Sequence, residues 1–455
     1  MCRRMPNYFH IKNVKNKYMP FVKSVLKLLV LGISLVLLIV LVIFNYNRLL
    51  HYMPIPRSAK QYIIVGQDRK FVMKRHEEHM NYPIVKFTFE RPHENAYKFV
   101  IGSLRRVIDE PYSKFRINMD RLHKYLYHYS TESTNTIILY TFEQVDTIQN
   151  VDKSLVAYKA AANPNKLKFI IANDGLMVCA SHLIHDGVSL FNILTTFTNI
   201  PKLKLNSFNY IPVVNEALMA KSVWLSLEHI HDTLAIQRQF KHLISWNTGC
   251  ADSTLVKTKV NIAQVKTIKR AIKQRNMELP FPMVFAAVQL LGIFYASKVD
   301  KLSVGVTVGF DNNSKFNNFT VIPIMVDKPF TELNRDTYTE SIMTLLTSMH
   351  STLQKTSHLL HSIYSITNVY NFDTYLNDNF DVLLSGIPMC TKKQYHFDGI
   401  DINTVSGTMP CHTSPIYILF LSDMYHAFTT QHIRTNEINV EQLKQYNEYL
   451  SDWLA

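Results

Sequence analysis

Apolar and polar positions alternate along the chain in a way that predicts strands and helices mixed together. Alternating or continuous apolar runs predict strands at 84–89, 136–142, 303–310 and 320–326. Two more apolar runs flank Asn173-Asp174-Gly175, a sequence typical of a tight β-hairpin. Apolar residues at helical spacing predict a helix from 96 to 108.

A second set of elements follows residue 250. VKTKVNI (256–262) predicts a strand, and the nearly all-apolar segment 282–294 predicts a buried helix. Segments 415–421 and 426–432 are expected to pair, and a helix ends the chain. We therefore predict an α/β protein with mixed sheets, built from two halves at 81–205 and 251–455 that are joined by a linker at 206–250.

The N-terminus has a different pattern. The 17 residues Leu28–Phe44 carry no charge, and 25–44 contains only Lys27. A helix rising ~1.5 Å per residue over this length spans roughly the hydrocarbon core of a bilayer. The pattern predicts a transmembrane helix at 25–44, between a basic tail (1–24) and a stalk (45–80). The alternative is a cleaved signal peptide, but the run is long and no small-residue cleavage site follows it.

Charge around this segment predicts its orientation. Seven Lys and Arg residues and no acid lie in residues 1–44, whereas only Arg48, Arg57 and Lys60 follow up to residue 60. The positive-inside rule then predicts a single-pass type II membrane protein whose globular part is lumenal or extracytoplasmic. The membrane itself is the first predicted partner.

Composition narrows the possible chemistry. The tail holds seven of the +14 formal charges, and the rest are spread over 411 residues, so nucleic-acid binding is not expected. Only 12 glycines are present and no glycine-rich phosphate loop occurs, so nucleotide-dependent chemistry is not indicated. The absence of H-E-x-x-H and C-x-x-C patterns leaves no predicted metal site.

Five cysteines are present, four of them after the predicted membrane helix. Cys179 lies in an apolar strand and is predicted to be a buried thiol. Four cysteines allow three pairings, which the sequence alone does not separate. Cys390 and Cys411 flank one short segment and are the first pair to test.

The stretch ASHLIHDGVSLFNIL (180–194) carries the candidate chemistry. We expect His182 at the end of a strand and Asp186-Gly187 at the start of the next helix. Imidazole, with a pKa of about 6.5, suits a general base near neutral pH. Asp186 would cap backbone N–H groups, and Gly187 would allow close backbone approach. A structural histidine at a strand end explains the same residues, and His185 falls within the spacer.

The His182–Gly187 segment resembles the HHxxxDG/HxxxD signature of the chloramphenicol acetyltransferase-like superfamily, with Ser181 in place of the first histidine. That superfamily includes condensation domains, wax ester synthases and alcohol acetyltransferases. The resemblance covers roughly residues 80–455. It includes ELPFPMVFAAVQLLGIFYASK (278–298), the strand–loop–strand segment 301–326 and the closing hairpin 407–433.

The resemblance implies two halves around a central tunnel and a direct acyl transfer without a covalent acyl-enzyme. It implies that His182, Asp186 and Gly187 are the catalytic residues. His182 would be the general base, Asp186 would hold the loop, and Gly187 would leave room at the tunnel. It implies acyl-CoA or an acyl-carrier thioester as co-substrate, with a hydroxyl or amine acceptor and no bound cofactor. Ser406, Thr413 and Ser414 are candidate donors to the oxyanion.

The sequence is also compatible with two other functions. One is a catalytically inactive relative that works as a structural or binding protein, for example on a viral surface. The other is a lipid-binding module, which would use the same tunnel without a base.

Overall fold

The computed structural model describes residues 23–25, 27–36, 39, 59–63, 83–108, 117–119, 126–130, 140–149, 167–179, 190, 194–199, 243–246, 254–274, 281–309, 319–351, 380–386, 394–408, 414–422 and 425–453. Most of the predicted linker at 206–250 lies outside these residues.

The strands, in chain order, are β1 (Ala59–Ile63), β2 (Ile84–Phe89), β3 (Ile117–Met119), β4 (Leu126–Ser130), β5 (Tyr140–Gln144), β6 (Leu167–Ala172), β7 (Gly175–Cys179), β8 (Thr254–Asn261), β9 (Lys301–Gly309), β10 (Phe319–Asp327), β11 (Val382–Gly386), β12 (His396–Phe397), β13 (Ile400–Thr408), β14 (Ile416–Ser422) and β15 (His426–Ile433). The helices are α1 (Ala96–Ile108), α2 (Ile262–Gln274), α3 (Phe281–Tyr295), α4 (335–351) and α5 (Val440–Trp453).

Three helices of the second half begin at an asparagine. The Oδ1 atoms of Asn261, Asn334 and Asn439 accept backbone N–H bonds from the first turns of α2, α4 and α5. Asparagine is among the preferred N-cap residues because its side chain satisfies N–H groups that have no partner within the helix. These caps fix where each helix starts.

The first six-stranded sheet has the order β12-β13-β2-β7-β6-β5. The β6–β7 and β2–β7 pairs are antiparallel, whereas β5 and β6 are parallel. One side of this sheet packs on α1 and on Leu190, Leu194 and Phe197, and we call this cluster the first core. Since β7 lies between two partners, it is a central strand.

The second six-stranded sheet has the order β10-β9-β11-β14-β15-β8. Strand β11 is parallel to both of its neighbours, and the other pairs are antiparallel. One side of this sheet packs on helices α2 to α5 and forms the second core. The side chains from Val284 to Phe294 on α3 are buried, as its all-apolar sequence predicts.

A strand exchange links the two halves. Strands β12 and β13 follow α4 in the chain, yet they complete the first sheet by pairing with β2. A bulge between Ile402 and Thr404 shifts the register, so the buried residues Ile402 and Val405 are three apart instead of two. Because of this irregular spacing, the sequence of β13 does not show the strict alternation of apolar and polar residues that predicts a strand.

A small third sheet has the order β1-β4-β3. Strand β1 is antiparallel to β4, so residues 59–63, which fall in the predicted stalk, form a strand. The predicted boundaries of tail, stalk, linker and halves otherwise stay predictions.

Near the N-terminus, residues 27–36 are helical and several of their apolar side chains are exposed. Among the residues that the structure describes, no helix reaches the length and apolar content needed to cross a membrane. Residues 40–44 of the predicted span lie outside the described residues.

Candidate functional site

The three predicted catalytic residues, His182, Asp186 and Gly187, lie outside the described residues. The structure describes what precedes and follows them. Strand β7 ends at Cys179, three residues before His182, and Leu190 is helical and buried three residues after Gly187. The position of the predicted site is therefore defined by β7 and the strands next to it.

All five residues of β7 are buried. Leu176 and Val178 point into the first core, whereas Met177 and Cys179 point to the opposite side of the sheet. This alternation is the normal geometry of a strand. It shows that even-numbered positions of β7 face the side on which the second sheet also packs.

The start of β7 is held by the Asn173-Asp174-Gly175 hairpin turn. The Asp174 carboxylate accepts bonds from the Thr147 hydroxyl at 2.6 Å and the Ile148 backbone N–H at 2.8 Å. The Asn173 and Asp174 carbonyls accept N–H bonds from His93 and Phe89. The end of β7 far from His182 is thus fixed by charge-assisted and backbone hydrogen bonds.

At its other end, β7 lies beside two more strand ends. Cys179 is opposite Ile84 of β2, and Ile84 is opposite Thr408 of the exchanged strand β13. Gly407 faces the second sheet, since a Cβ added there would lie within 3.0 Å of the Leu419 side chain. Cys179, the last described residue before His182, therefore lies near the contact between the two halves.

The candidate oxyanion donors differ in position. Ser406 is half-buried opposite Lys86, one residue from Gly407, so it faces away from the second sheet. Ser414 is fully buried, and its carbonyl accepts a 3.0 Å bond from Nη2 of Arg434. Thr413 lies outside the described residues.

Cys179 is a buried free thiol, as the sequence predicts. Burial raises the pKa of the thiol to about 12, an effect that the Lys168 ammonium opposes and the Glu143 carboxylate reinforces. Because the thiolate is the nucleophilic form, this cysteine is inert at neutral pH. Cys250, Cys390 and Cys411 lie outside the described residues, so their pairing stays a prediction.

Two other histidines sit in His–Asp pairs at the turn between β12 and β13. His93 Nε2 lies 2.9 Å from Asp398 Oδ2, while its Nδ1 accepts the backbone N–H of Asn95 at 3.1 Å. His396 pairs with Asp401 across the hairpin. Both ring nitrogens of His93 are engaged in holding the turn to the start of α1, so it is a structural residue.

Within the described part of the chain, no cluster of three or more His, Cys, Asp or Glu residues is arranged to hold a metal ion.

No protein-family model matches this sequence, and no curated protein matches it either. Solved structures do match. The trichothecene 15-O-acetyltransferase of Fusarium sporotrichioides is 11% identical, covers 87% of this chain and 96% of its own, and gives a TM-score of 0.61. The condensation domain of the monacolin K polyketide synthase is 10% identical, covers 88% and 97%, and gives 0.57.

A third match is the wax ester synthase/diacylglycerol acyltransferase of Marinobacter aquaeolei VT8, which is 12% identical. It covers 86% of this chain and 98% of its own, with a TM-score of 0.51. Each comparison spans nearly the whole solved chain, and all three proteins share one fold. At this level of identity the likeness defines the architecture of both halves together and no individual side chain.

Proposed function

Because the chain has the fold of the chloramphenicol acetyltransferase-like superfamily, we propose that it transfers an acyl group from a thioester to a hydroxyl or amine, with His182 as general base. The transferases among its structural neighbours support the reaction class. The HxxxDG residues of this sequence support the choice of base.

The observation that carries the proposal is the position of β7. It is a central strand whose final residue lies beside Ile84 and Thr408, next to the contact of the exchanged strand with the second sheet. Three peptide units limit the Cα separation of Cys179 and His182 to about 11 Å. If the alternation of β7 continues, His182 shares the side of Leu176 and Val178, which faces the second half.

The proposed reaction needs one proton carrier. The imidazole of His182 accepts the proton from the acceptor O–H or N–H as that atom attacks the thioester carbonyl. The C–S bond then breaks, and the imidazolium returns the proton to the departing thiolate. The products are an ester or amide and a free thiol. A positioned base of this kind contributes roughly 10²–10⁴-fold, and holding both reactants together contributes much of the rest.

The remaining residues have supporting functions in this proposal. Asp186 holds the loop after β7 by bonding to backbone N–H groups, and Gly187 leaves room beside the imidazole. The donor is acyl-CoA or an acyl-carrier thioester. We further propose, from the sequence, that residues 25–44 anchor the protein in a membrane with the catalytic halves on the extracytoplasmic side.

A thiol-release assay tests the proposal. The full chain is incubated with decanoyl-CoA and either dodecanol or dodecylamine, and both thiol release and the ester or amide product are measured. We expect His182→Ala to lower the rate at least about 100-fold. His185→Ala, three residues away in the same segment, is the matched control and should retain most of the rate.

Equal rates for wild type and His182→Ala would refute the general base. A wild-type chain that binds decanoyl-CoA but releases no thiol with either acceptor would instead identify a binding module of the same fold.

A further inference from the structure

The second sheet has one side that carries no helix of the second core, and we call it the inner face. The register of the strands places the following residues on it: Leu255, Lys257, Lys259, Leu383, Ser385, Tyr417, Leu419, Leu421, Phe428, Thr430 and His432. Their sequence neighbours Ile416, Ile418 and Phe420 belong to the second core on the other side. Alternation along each strand separates the two sets.

The inner face is directed toward the first half. Leu421 and Phe428 are members of the first core, together with residues of β2 and β7. Leu419 contacts the exchanged strand at Gly407. Ser422 accepts a bond from Tyr395, which is itself bonded to Ile402, whereas Leu419 lies at Gly407. Strand β14 read from Ser422 back to Tyr417 therefore follows β13 toward Thr408, at the end of the first sheet where Cys179 lies. Tyr417, Thr430 and His432 thus lie near the strand ends that flank the candidate site.

The charge on the inner face is mainly positive. The sequences of β8, β9, β11, β14 and β15 contain no Asp or Glu, and Asp327 of β10, at the far end of the sheet, is paired with Lys301. Lys257 and Lys259 are both exposed, and they stand on the inner face of β8, the edge strand among those that the structure describes. Lysines on an edge strand also deter strand pairing between molecules, but that effect does not require them to share a face.

Lys259 leans inward over the sheet. Its Nζ lies 5.8 Å from the centroid of the Phe428 ring, a residue of the adjacent strand β15. The ring holds the ammonium group through a cation–π contact instead of letting it extend off the edge. The positive charge is therefore presented along the inner face.

Hydrogen-bonding groups continue from this charged edge toward the centre. Lys257 is opposite Thr430, and Thr430 is opposite Leu419. At about 4.8 Å between strands, this row spans roughly 10 Å from the edge to the contact with Gly407. His432 and Tyr417 are the next opposite pair, with ring centroids 6.1 Å apart, and Tyr417 is bonded to Ser385.

We propose that Lys257, Lys259, Thr430 and His432, from here on called the row, bind a ligand with an anionic head. Lys257 and Lys259 bind its phosphate groups, and Thr430 and His432 bind the uncharged chain that follows. The inference rests on the proposed function, because the row ends beside the site assigned to His182. The phosphate belongs either to the thioester donor or to a phosphorylated acceptor.

Equilibrium binding of three unreactive probes to the full chain tests whether the row binds a phosphate-bearing ligand. It also distinguishes the thioester donor from a phosphorylated acceptor. The probes are the decyl thioether of CoA, the decyl thioether of pantetheine, which has no phosphate, and decyl phosphate, which has no pantetheine. We expect Lys257→Gln/Lys259→Gln to weaken the CoA thioether about 5- to 10-fold, with a loss that shrinks at high salt, and to leave the pantetheine thioether unchanged. An equal loss for decyl phosphate would assign the site to any phosphate-bearing chain; a loss for the CoA thioether alone would assign it to the donor.

Two matched controls accompany this test. Lys269→Gln/Lys273→Gln removes the same charge from helix α2 on the opposite side of the sheet and should change no affinity. Thr430→Val should weaken both thioethers about 3- to 10-fold, whereas Thr429→Val, which is adjacent, equally buried and directed to the second core, should not.

The row is refuted if the inner-face double variant binds both phosphate probes as wild type does, if the α2 double variant loses as much affinity, or if wild type binds no probe. Because no turnover is needed, binding with the expected variant pattern but without thiol release would support the row while refuting the transferase.

Discussion

At the scale of single residues, burial decides the chemistry of Cys179. Its folded-state pKa is raised from about 9 to about 12, so the protonated thiol stabilises the folded state fully below pH 9, and this contribution is lost as the pH rises toward 12. We expect iodoacetamide at pH 8 to leave Cys179 unmodified in the folded protein and to modify it in guanidinium. Peptide mass spectrometry measures both, and rapid labelling of the folded protein would contradict the burial.

Two glycines should respond in opposite ways to the same substitution. A Cβ at Gly175 would lie within 3.0 Å of the Phe87 carbonyl oxygen and of Ile148, so Gly175→Ala should lower the free energy of unfolding by about 1–3 kcal/mol. Gly102 lies inside α1 with open space around it, so Gly102→Ala should raise that free energy by about 0.5–1 kcal/mol. Denaturant unfolding compares the two, and a neutral Gly175→Ala would contradict the close approach.

The sequence predicts the burial of a single residue better than it predicts which distant residues lie close together. An apolar neighbourhood was enough to predict that Cys179 is buried, because burial follows from the local pattern. The inner-face residues Lys257 and Thr430 were not predicted, because their proximity depends on how distant strands pair. The alternating lysines of VKTKVNI were a usable signal, since they predict one charged side of an edge strand.

At the scale of elements, hydrophobic periodicity predicts the helices and strands that are formed by neighbouring residues of the chain. The structure confirms the strand at 84–89, the helix at 96–108 and the hairpin around Asp174. The buried helix of the second half extends from Phe281 to Tyr295, close to the predicted 282–294. The exchanged strand β13 was not predicted, because its partner lies more than 300 residues earlier in the chain and its bulge breaks the alternation.

Asp381 joins three separate segments just before β11. Its buried carboxylate accepts N–H bonds from Leu243, Ile244 and Ser303, and an O–H bond from Ser303, at 2.7 to 3.1 Å. Asp381→Asn places an NH₂ group against these donors and should lower the free energy of unfolding by about 2–4 kcal/mol. The change is measured by denaturant unfolding.

The matched control for Asp381 is Asp327→Asn. This carboxylate is 78% exposed and pairs with Lys301 at 3.4 Å, so its loss should cost less than about 1 kcal/mol. Equal effects of the two substitutions would show that the buried carboxylate does not hold the linker to β9.

At the scale of the whole molecule, the exchanged strand makes the first half incomplete without the second. If fragments 45–250 and 251–455, both without the proposed membrane segment, are expressed separately, the first lacks β13, one of the two partners of β2, and exposes an apolar strand edge. We expect fragment 45–250 to aggregate alone and to become soluble when the two fragments are co-expressed. Sedimentation and co-purification measure this, and a soluble, folded fragment 45–250 would contradict it.

The position of β13 in the chain delays completion of the first sheet during synthesis. Strand β7 is complete at Cys179, but β13 is complete only at Thr408, about 230 residues later. At roughly 5–20 residues per second, that delay is about 10 to 50 s. Throughout this interval the nascent first half presents an unpaired β2 edge, so the protein should depend on chaperones during translation more than two independent domains of the same size would.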